Sequence, residues 1–326
     1  MGLRIGFIGV GGIAQRHLQS INGMRGAEVA AVCDIDCERA ATVGEKFNAA
    51  VFTDWKKMLS TAAPDAVYIC VIPSAHKTME LELAKAGIPF WGEKPVHLSL
   101  ATAKRVAAEV DRKNLVTAAG YHWRAMGQVK KARSFLSGKK VSLVQGWWYG
   151  GMPGVWWWRR KKESGGQHIE QTTHIYDLAR YLAGDVDKVY AAAGHGAMTD
   201  VEDYDVEDVS TAVLEFKSGA VGTITSGCIS AGTGKSQVGI RMDGKGWTLE
   251  FLGFGALRIA KKGKPVEFVP KASAPFEAED KAFAKAVKSG DVSAVYCDYN
   301  DAVKSLAVTL AVDNAIKTGR LQKVAF

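Results

Sequence analysis

Three stretches of this sequence carry residue types that chemistry can use. Glu93-Lys94-Pro95 follows a short apolar run, Ile88 to Trp91, so Lys94 stands just past the end of a strand. An ammonium there can polarise a hydroxyl or a carbonyl; a surface lysine closing a turn before proline is the plainer alternative. Further on, Glu170, His174 and Asp177 fall at i, i+4 and i+7, on one face if Ile169 to Leu182 is a helix. An imidazole titrates near neutrality and can shuttle a proton, while the two carboxylates orient its ring or stabilise its cation. Ile175, Leu178, Ala179 and Leu182 make the opposite face apolar, so the polar stripe reads as directed rather than merely solvated. The third stretch, Trp147 to Arg159, holds five tryptophans in twelve residues, broken by glycines and a proline. Indoles offer flat apolar faces and one N–H donor each, which suits the C–H faces of a sugar or polyol. An oligomer interface is equally compatible, since Trp and Arg are enriched there too.

The elements that must position these groups begin at the N-terminus. Leu3 to Ile8 is a β-rich run that ends in Gly9-Val10-Gly11-Gly12-Ile13-Ala14, and Ala14 to Ile21 reads as a helix. This is G-x-G-x-x-A in a strand–turn–helix setting. Gly9 permits the tight turn, Gly11 lets the backbone approach a pyrophosphate, and Ala14 allows close helix–strand packing. Free N–H groups from Gly12 and Ile13 onward face the phosphates at the helix start. A second strand, Glu28 to Cys33, ends at Asp34, twenty residues beyond Ala14. A carboxylate there accepts from the ribose hydroxyls of NAD and repels a 2′-phosphate. Arg39 is the residue that could compensate for NADP, so NAD is favoured with NADP second. Asp34 as an N-cap of the helix Glu38 to Phe47 is the bland reading.

Alternation continues through a strand at Ala66 to Val71, a helix at Ser74 to Ala86 and a strand at Ile88 to Trp91. A helix at Ser99 to Arg112 and a strand at Leu115 to Gly120 complete the series. This interval implies a parallel, doubly wound sheet. Pro73, Ser74 and His76 follow a strand's carboxyl end, where ligands of such sheets collect; His76 is expected beside the cofactor or as a helix cap. After Tyr121 the pattern changes to a helix reaching Leu136 and then consecutive strands from Val141 to Leu252, including a hairpin turn at Lys217-Ser218-Gly219. Strands without intervening helices argue for a largely antiparallel sheet, hence an α+β second domain. Glu277 to Lys288 and Asp298 to Thr318 read as two closing helices.

Composition bounds the rest. The chain has 326 residues, enough for two domains, with 47% hydrophobic and 23% charged residues, as in soluble globular proteins. No apolar stretch is long enough to span a membrane, and Met1 to Ile5 has no signal-peptide layout, so cytoplasmic residence is expected. Five scattered cysteines suit reduced thiols rather than a disulfide frame or a zinc site, and no metal is expected. The net charge of +8 comes from dispersed residues. No motif turns it into nucleic-acid binding; a solvated rim or attraction of an anionic substrate explains it.

Together, the Gly9 to Ala14 turn, Glu93-Lys94-Pro95, Tyr121-x-x-Arg124, the Gly165 to Asp177 block and Tyr299-x-x-Ala302-x-x-Ser305-Leu306 resemble the Gfo/Idh/MocA oxidoreductase family along essentially the whole chain. That resemblance implies a Rossmann domain over residues 1–121. An α+β domain over 122–326 would follow, with an open sheet that commonly mediates dimers or tetramers. It also implies that Glu93 and Lys94 lie at the cofactor, that Lys94 hydrogen-bonds the reacting hydroxyl, and that His174 transfers its proton. Glu170 falls where many members carry aspartate. Substrate contacts are then expected from Lys94, Tyr121, His122, Arg124, Tyr149, Trp156, Trp157, Arg159, Glu170 and His174. The implied reaction is reversible oxidation of a secondary alcohol on a sugar, inositol or related polyol. Two rivals share the frame: an NAD-retaining enzyme that cleaves glycosides through transient oxidation at C3, with Tyr121, His122 or Tyr149 as an extra acid or base, and a non-catalytic sugar sensor.

Overall fold

From Leu3 to Ala119 strands and helices alternate: β1 (Leu3–Ile8), α1 (Ala14–Asn22), β2 (Ala27–Cys33), α2 (Cys37–Phe47), β3 (Ala50–Phe52), α3 (Trp55–Ala62), β4 (Ala66–Ile69), α4 (Met79–Ala86), β5 (Phe90–Gly92), α5 (Leu100–Lys113) and β6 (Thr117–Ala119). The computed structural model describes residues 2–230, 237–253, 255–271 and 274–326. The first sheet has the order β3-β2-β1-β4-β5-β6 with every pairing parallel, the doubly wound dinucleotide-binding arrangement. Its central strands, β4 and β5, are buried along their whole length, because helices cover both faces of such a sheet. The β3–α3 segment was not foreseen. Ala50–Phe52 is only three residues long and mostly exposed, so it carries no apolar run to read.

After a helix α6 (Gly127–Leu136) come β7 (Leu143–Tyr149), the one-turn helices α7 (Lys161–Ser164) and α8 (Gln167–Glu170), then α9 (Thr173–Ala183) and β8 (Val186–Gly194). Strands β9 (Val209–Phe216), β10 (Val221–Gly227), β11 (Gln237–Gly244), β12 (Trp247–Leu252), β13 (Ala256–Lys261) and β14 (Glu267–Pro270) follow. Helices α10 (Pro275–Ser289) and α11 (Tyr299–Thr318) and the short β15 (Gln322–Lys323) end the chain. The second sheet has the order β14-β13-β12-β11-β7-β10-β9-β8-β15, antiparallel except where β7 pairs β10. Lys217-Ser218-Gly219 forms the expected hairpin turn, with Gly219 at φ +83°. Burial alternates strictly along β9, so Ser210, Ala212, Leu214 and Phe216 face one side and the intervening residues the other. The fold class is therefore the expected one, a parallel Rossmann sheet and a largely antiparallel second sheet.

Two compact units result: Met1–Ala125 with Ala274–Ala302, and Met126–Ser273 with Val303–Phe326. The boundary differs from one drawn at residue 121, since α10 joins the first unit. Phe283, Ala284 and Ala286 complete the core built by Phe7, Leu18, Tyr68 and Trp91. A buried polar contact makes the same connection. The Nδ1 atom of His17, on α1, lies 2.8 Å from Asp280 Oδ1, and the Tyr68 hydroxyl donates to the same oxygen at 3.0 Å. No helix among the described residues is long and apolar enough to cross a membrane.

His17 is wholly buried, which disfavours its cation, yet Asp280, Glu93 and Glu279 outweigh that cost and push its pKa up to about 10. A histidine raised in the folded state stabilises fully below its ordinary value and loses that contribution as pH rises through the folded value. The first unit should therefore lose stability between about pH 6.5 and pH 10 through this residue. Urea denaturation midpoints should fall more steeply across that range in the wild type than in His17→Gln; parallel curves would refute the charge assignment.

Candidate active site

At the first turn, Gly9 has φ +81°, and a Cβ there would lie 2.5 Å from the carbonyl oxygen of Cys70. Only glycine fits. Gly11 and Gly12, by contrast, face open space with nothing within 4 Å of a Cβ, which leaves their backbone accessible to a bound group. Ile13 precedes α1, and Ala14 opens it fully buried. At the end of β2 the Asp34 carboxylate is preset: Oδ2 accepts the Val10 N–H and Oδ1 the Asp36 N–H, both at 3.0 Å. Arg39 is committed to Asp36 at 2.5 Å and lies 3.7 Å from Asp34. Two carboxylates thus balance the one guanidinium that could receive a 2′-phosphate. Asp36, not Asp34, caps α2. A tight glycine turn, an uncovered helix start and a fixed carboxylate at the neighbouring strand end fit a dinucleotide.

Pro73 and Ser74 form a short turn after β4. His76 has a fully buried ring whose Nδ1 hydrogen-bonds Glu80 in the following helix. Lys94, half-buried, directly follows Glu93 beyond β5, and its backbone N–H donates to Glu93 Oε2 at 2.8 Å. The Glu93 carboxylate turns inward, with Oε1 3.9 Å from His17 Nε2, an ion-pair distance rather than a hydrogen bond. Burial raises the pKa of Glu93, but the charges of His17 and Lys94 outweigh it and hold the carboxyl below its usual value. Tyr121 and Arg124 are also internal. The Arg124 guanidinium pairs with Asp301, donates to the Tyr296 carbonyl at 3.4 Å and lies over the Tyr121 ring, so this segment braces the first unit. His122 stacks on Phe276 at 4.5 Å; burial, helped by Lys94 and His17, lowers its pKa to about 4 and keeps it neutral at pH 7.

In the second unit, β7 and α9 approach so closely that a Cβ on Gly146 would sit 2.4 Å from Ile175 Cγ2. This contact sets the height of His174, which is buried and stacks on Trp148 at 6.1 Å with an interplanar angle of 23°. The expected single helix from Ile169 is broken: α8 ends at Glu170 and α9 starts at Thr173. Glu170 therefore does not share a helix face with His174. Its Oε2 accepts from the Trp158 Nε1 at 3.0 Å. Asp177, on α9 with His174, accepts from Ser305 Oγ at 2.6 Å and is fully buried, as is most of α9. The tryptophans divide. Trp148 and Trp158 belong to the interior, Trp147 and Trp157 are half-buried, and Trp156 is 53% exposed with Arg160 over its ring. Tyr149 is half-buried, and Arg159 keeps a buried Nε without a hydrogen-bond partner.

Two buried clusters had no signal in the sequence. One is His17 with Glu93, Asp280 and Glu279. The other is His168, whose ring nitrogens lie 3.8 Å from Glu207 and 3.7 Å from Asp313 while Lys161 pairs with both carboxylates. Each joins residues distant in the chain, and only the apolar neighbours of His17 (Ala14, Leu18 and Ile21) hint that it points inward. Among the described residues no group of His, Cys, Asp and Glu is arranged to hold a metal.

Residues 3–121 match the family described as "Oxidoreductase family, NAD-binding Rossmann fold" and residues 127–248 match "GFO/IDH/MocA C-terminal domain". The chain belongs to the Gfo/Idh/MocA family. It is an NAD-dependent oxidoreductase. Among its relatives, myo-inositol 2-dehydrogenase of Thermotoga maritima is 28% identical over 68% of this chain and 67% of its own length. The NAD(+)-dependent scyllo-inositol 2-dehydrogenase of Bacillus subtilis is 26% identical over 97% and 95%. A levoglucosan dehydrogenase solved with NADH and levoglucosan superposes with a TM-score of 0.90 over the whole of both chains at 18% identity, a likeness of fold.

Replacing Asp34 by alanine removes a charged acceptor for the ribose. NAD should bind about tenfold to a hundredfold more weakly, with a smaller preference over NADP, in fluorescence titrations. Gly146→Ala should push α9 away from β7, lowering stability by about 1–3 kcal/mol in urea denaturation and depressing turnover as His174 moves. Unchanged values would mean the helix can relax without cost.

Proposed function

We propose that this chain reversibly oxidises a secondary hydroxyl of a sugar, an inositol or a related polyol, with NAD preferred to NADP. The observation that carries the reading is Lys94, tied through its own backbone N–H to Glu93 just beyond β5 of the NAD-binding sheet. The relatives named for inositol oxidation supply the substrate class. The dinucleotide is held by the Gly9 to Ala14 turn, by Asp34 and by the backbone around Pro73. Bound NAD supplies the hydride acceptor. His174 takes the hydroxyl proton, and Lys94 donates a hydrogen bond to the oxygen as its negative charge develops. Glu170, steadied by the Trp158 indole, holds a further hydroxyl. Tyr149, Trp156, Trp157 and Arg159 provide the apolar faces and the cation that grip the ring.

We also propose that the second sheet assembles the chain into a homodimer or homotetramer. Its outer face carries directly paired apolar residues, Tyr190 with Val213 and Leu143 with Val221, exposed by 36–51%. Isolated apolar residues are ordinary on surfaces, but cross-strand pairs form a contiguous patch.

A panel of sugars, inositols and glycosides with NAD and NADP tests the reading, following reduced cofactor and free aglycone together. Reduced cofactor should appear in step with oxidised polyol. Aglycone released without net reduction would favour glycoside cleavage, and no turnover at all would favour a sensor. Lys94→Ala and His174→Ala should each lower kcat by about 100- to 10,000-fold while NAD affinity stays within a few-fold. Wild-type rates in either variant would remove that residue from the reaction.

A further inference from the structure

We propose that the buried His17–Asp280 pair positions Lys94 by acting through the Glu93 carboxylate, so that a residue of α10, far along the chain, helps set the chemistry of the Glu93-Lys94-Pro95 turn. The inference rests on the reading of Lys94 as the group that contacts the reacting oxygen.

The geometry is a chain of contacts within one compact unit. Asp280 Oδ1 binds His17 Nδ1 at 2.8 Å and the Tyr68 hydroxyl at 3.0 Å. The far nitrogen of His17 faces Glu93 Oε1 at 3.9 Å, and the other Glu93 oxygen, Oε2, accepts the Lys94 N–H at 2.8 Å. His17 and Asp280 are fully buried and Glu93 is 6% exposed. Everything else that packs here keeps the carboxylate in place. Glu279 on α10 and Cys70 after β4 lie in the same field, the Trp91 ring packs tilted at 4.3 Å from His17, and Phe276 contacts both His17 and His122. Gly120 completes the fit, since a Cβ there would reach Trp91 at 2.8 Å and Glu93 Oε2 at 3.0 Å.

The charges fall in sequence: Asp280 balances His17, and His17 balances Glu93. Without the imidazolium, Glu93 becomes a buried anion balanced by Lys94 alone. Still ionised, it must then rotate towards the remaining cation, which loosens its hold on the Lys94 backbone and leaves more negative charge beside the ammonium. A plain structural ion pair would affect stability alone. A positioning pair must also alter the pH dependence of the reaction, because Glu93 sits next to the ammonium.

The test uses full-length His17→Gln, Asp280→Asn and Tyr68→Phe, with Glu93→Gln and Lys94→Ala as references, and inositol and NAD as probes. Circular dichroism and NAD affinity report the fold. His17→Gln and Asp280→Asn should lower kcat at least about tenfold, with NAD affinity within a few-fold, and should displace the alkaline limb of the kcat/KM profile upward. Glu93→Gln keeps an acceptor for the Lys94 N–H but carries no charge, so adding His17→Gln to it should cost little more than Glu93→Gln alone. Wild-type kcat and pH profile in Asp280→Asn, or full additivity in the double variant, would overturn the proposal. If His17→Gln fails to fold, Asp280→Asn and the milder Tyr68→Phe decide by the same two readouts. A Lys94→Ala protein that keeps its rate refutes the underlying reading instead, whatever the other variants do.

Discussion

An ionised carboxylate inside a protein must be balanced, and the first unit is arranged around that constraint at Glu93. Desolvation works against its charge, yet the carboxyl remains below its usual pKa because two cations face it. One of them, His17, is itself buried and keeps its proton because Asp280 stands 2.8 Å away, with Glu93 and Glu279 adding to the effect. For the neighbouring Glu279, burial with the Asp280 and Glu93 charges outweighs the same histidine and pushes the pKa well up. Phe283 and its neighbours supply the apolar burial that holds α10 against α1, and the histidine supplies its orientation.

The second unit answers a different constraint, the distance between a helix and a sheet. With no side chain on Gly146, α9 lies directly against β7, and His174 comes to rest on the Trp148 ring. The break between α8 and α9 follows from the residues ahead of it. Gly165 and Gly166 take φ +84° and +94°, and a Cβ at Gly166 would meet Glu207 Oε2 at 2.8 Å, so the chain enters α8 from an unusual direction. One turn later it starts again as α9. Glu170 and His174 consequently leave different helices, and the Trp158 indole rather than a helical neighbour orients Glu170.

Legibility varied with the range of the interactions involved. The Gly9 to Ala14 turn, Asp34 and the Lys94 position could be read because their geometry is dictated by residues within a few positions. The hairpin at Lys217-Ser218-Gly219 and the alternation of β9 were readable for the same reason. The i, i+4, i+7 spacing did not survive as one helix face, because Glu170 ends α8 while His174 and Asp177 lie on α9. The inward turn of His76 and the bracing role of Arg124 were equally hidden: both are polar side chains whose partners, Glu80 and Asp301, compete successfully with solvent once the site is buried.

What the sequence determined by itself was the class of cofactor, the alternation of strands and helices that makes the first sheet parallel and the second largely antiparallel, and the residue types able to move a proton or steady an oxyanion. Each depends on local backbone chemistry: glycine at positive φ, apolar periodicity, a carboxylate at a strand end. Tertiary structure alone decided that α10 completes the first unit, that His17 carries a charge in its core, and that Ser305 donates to Asp177. Those outcomes depend on groups brought together across more than a hundred residues, as His17 meets Asp280 at a separation of 263. Burial there sets protonation and partner choice, and no local pattern records it.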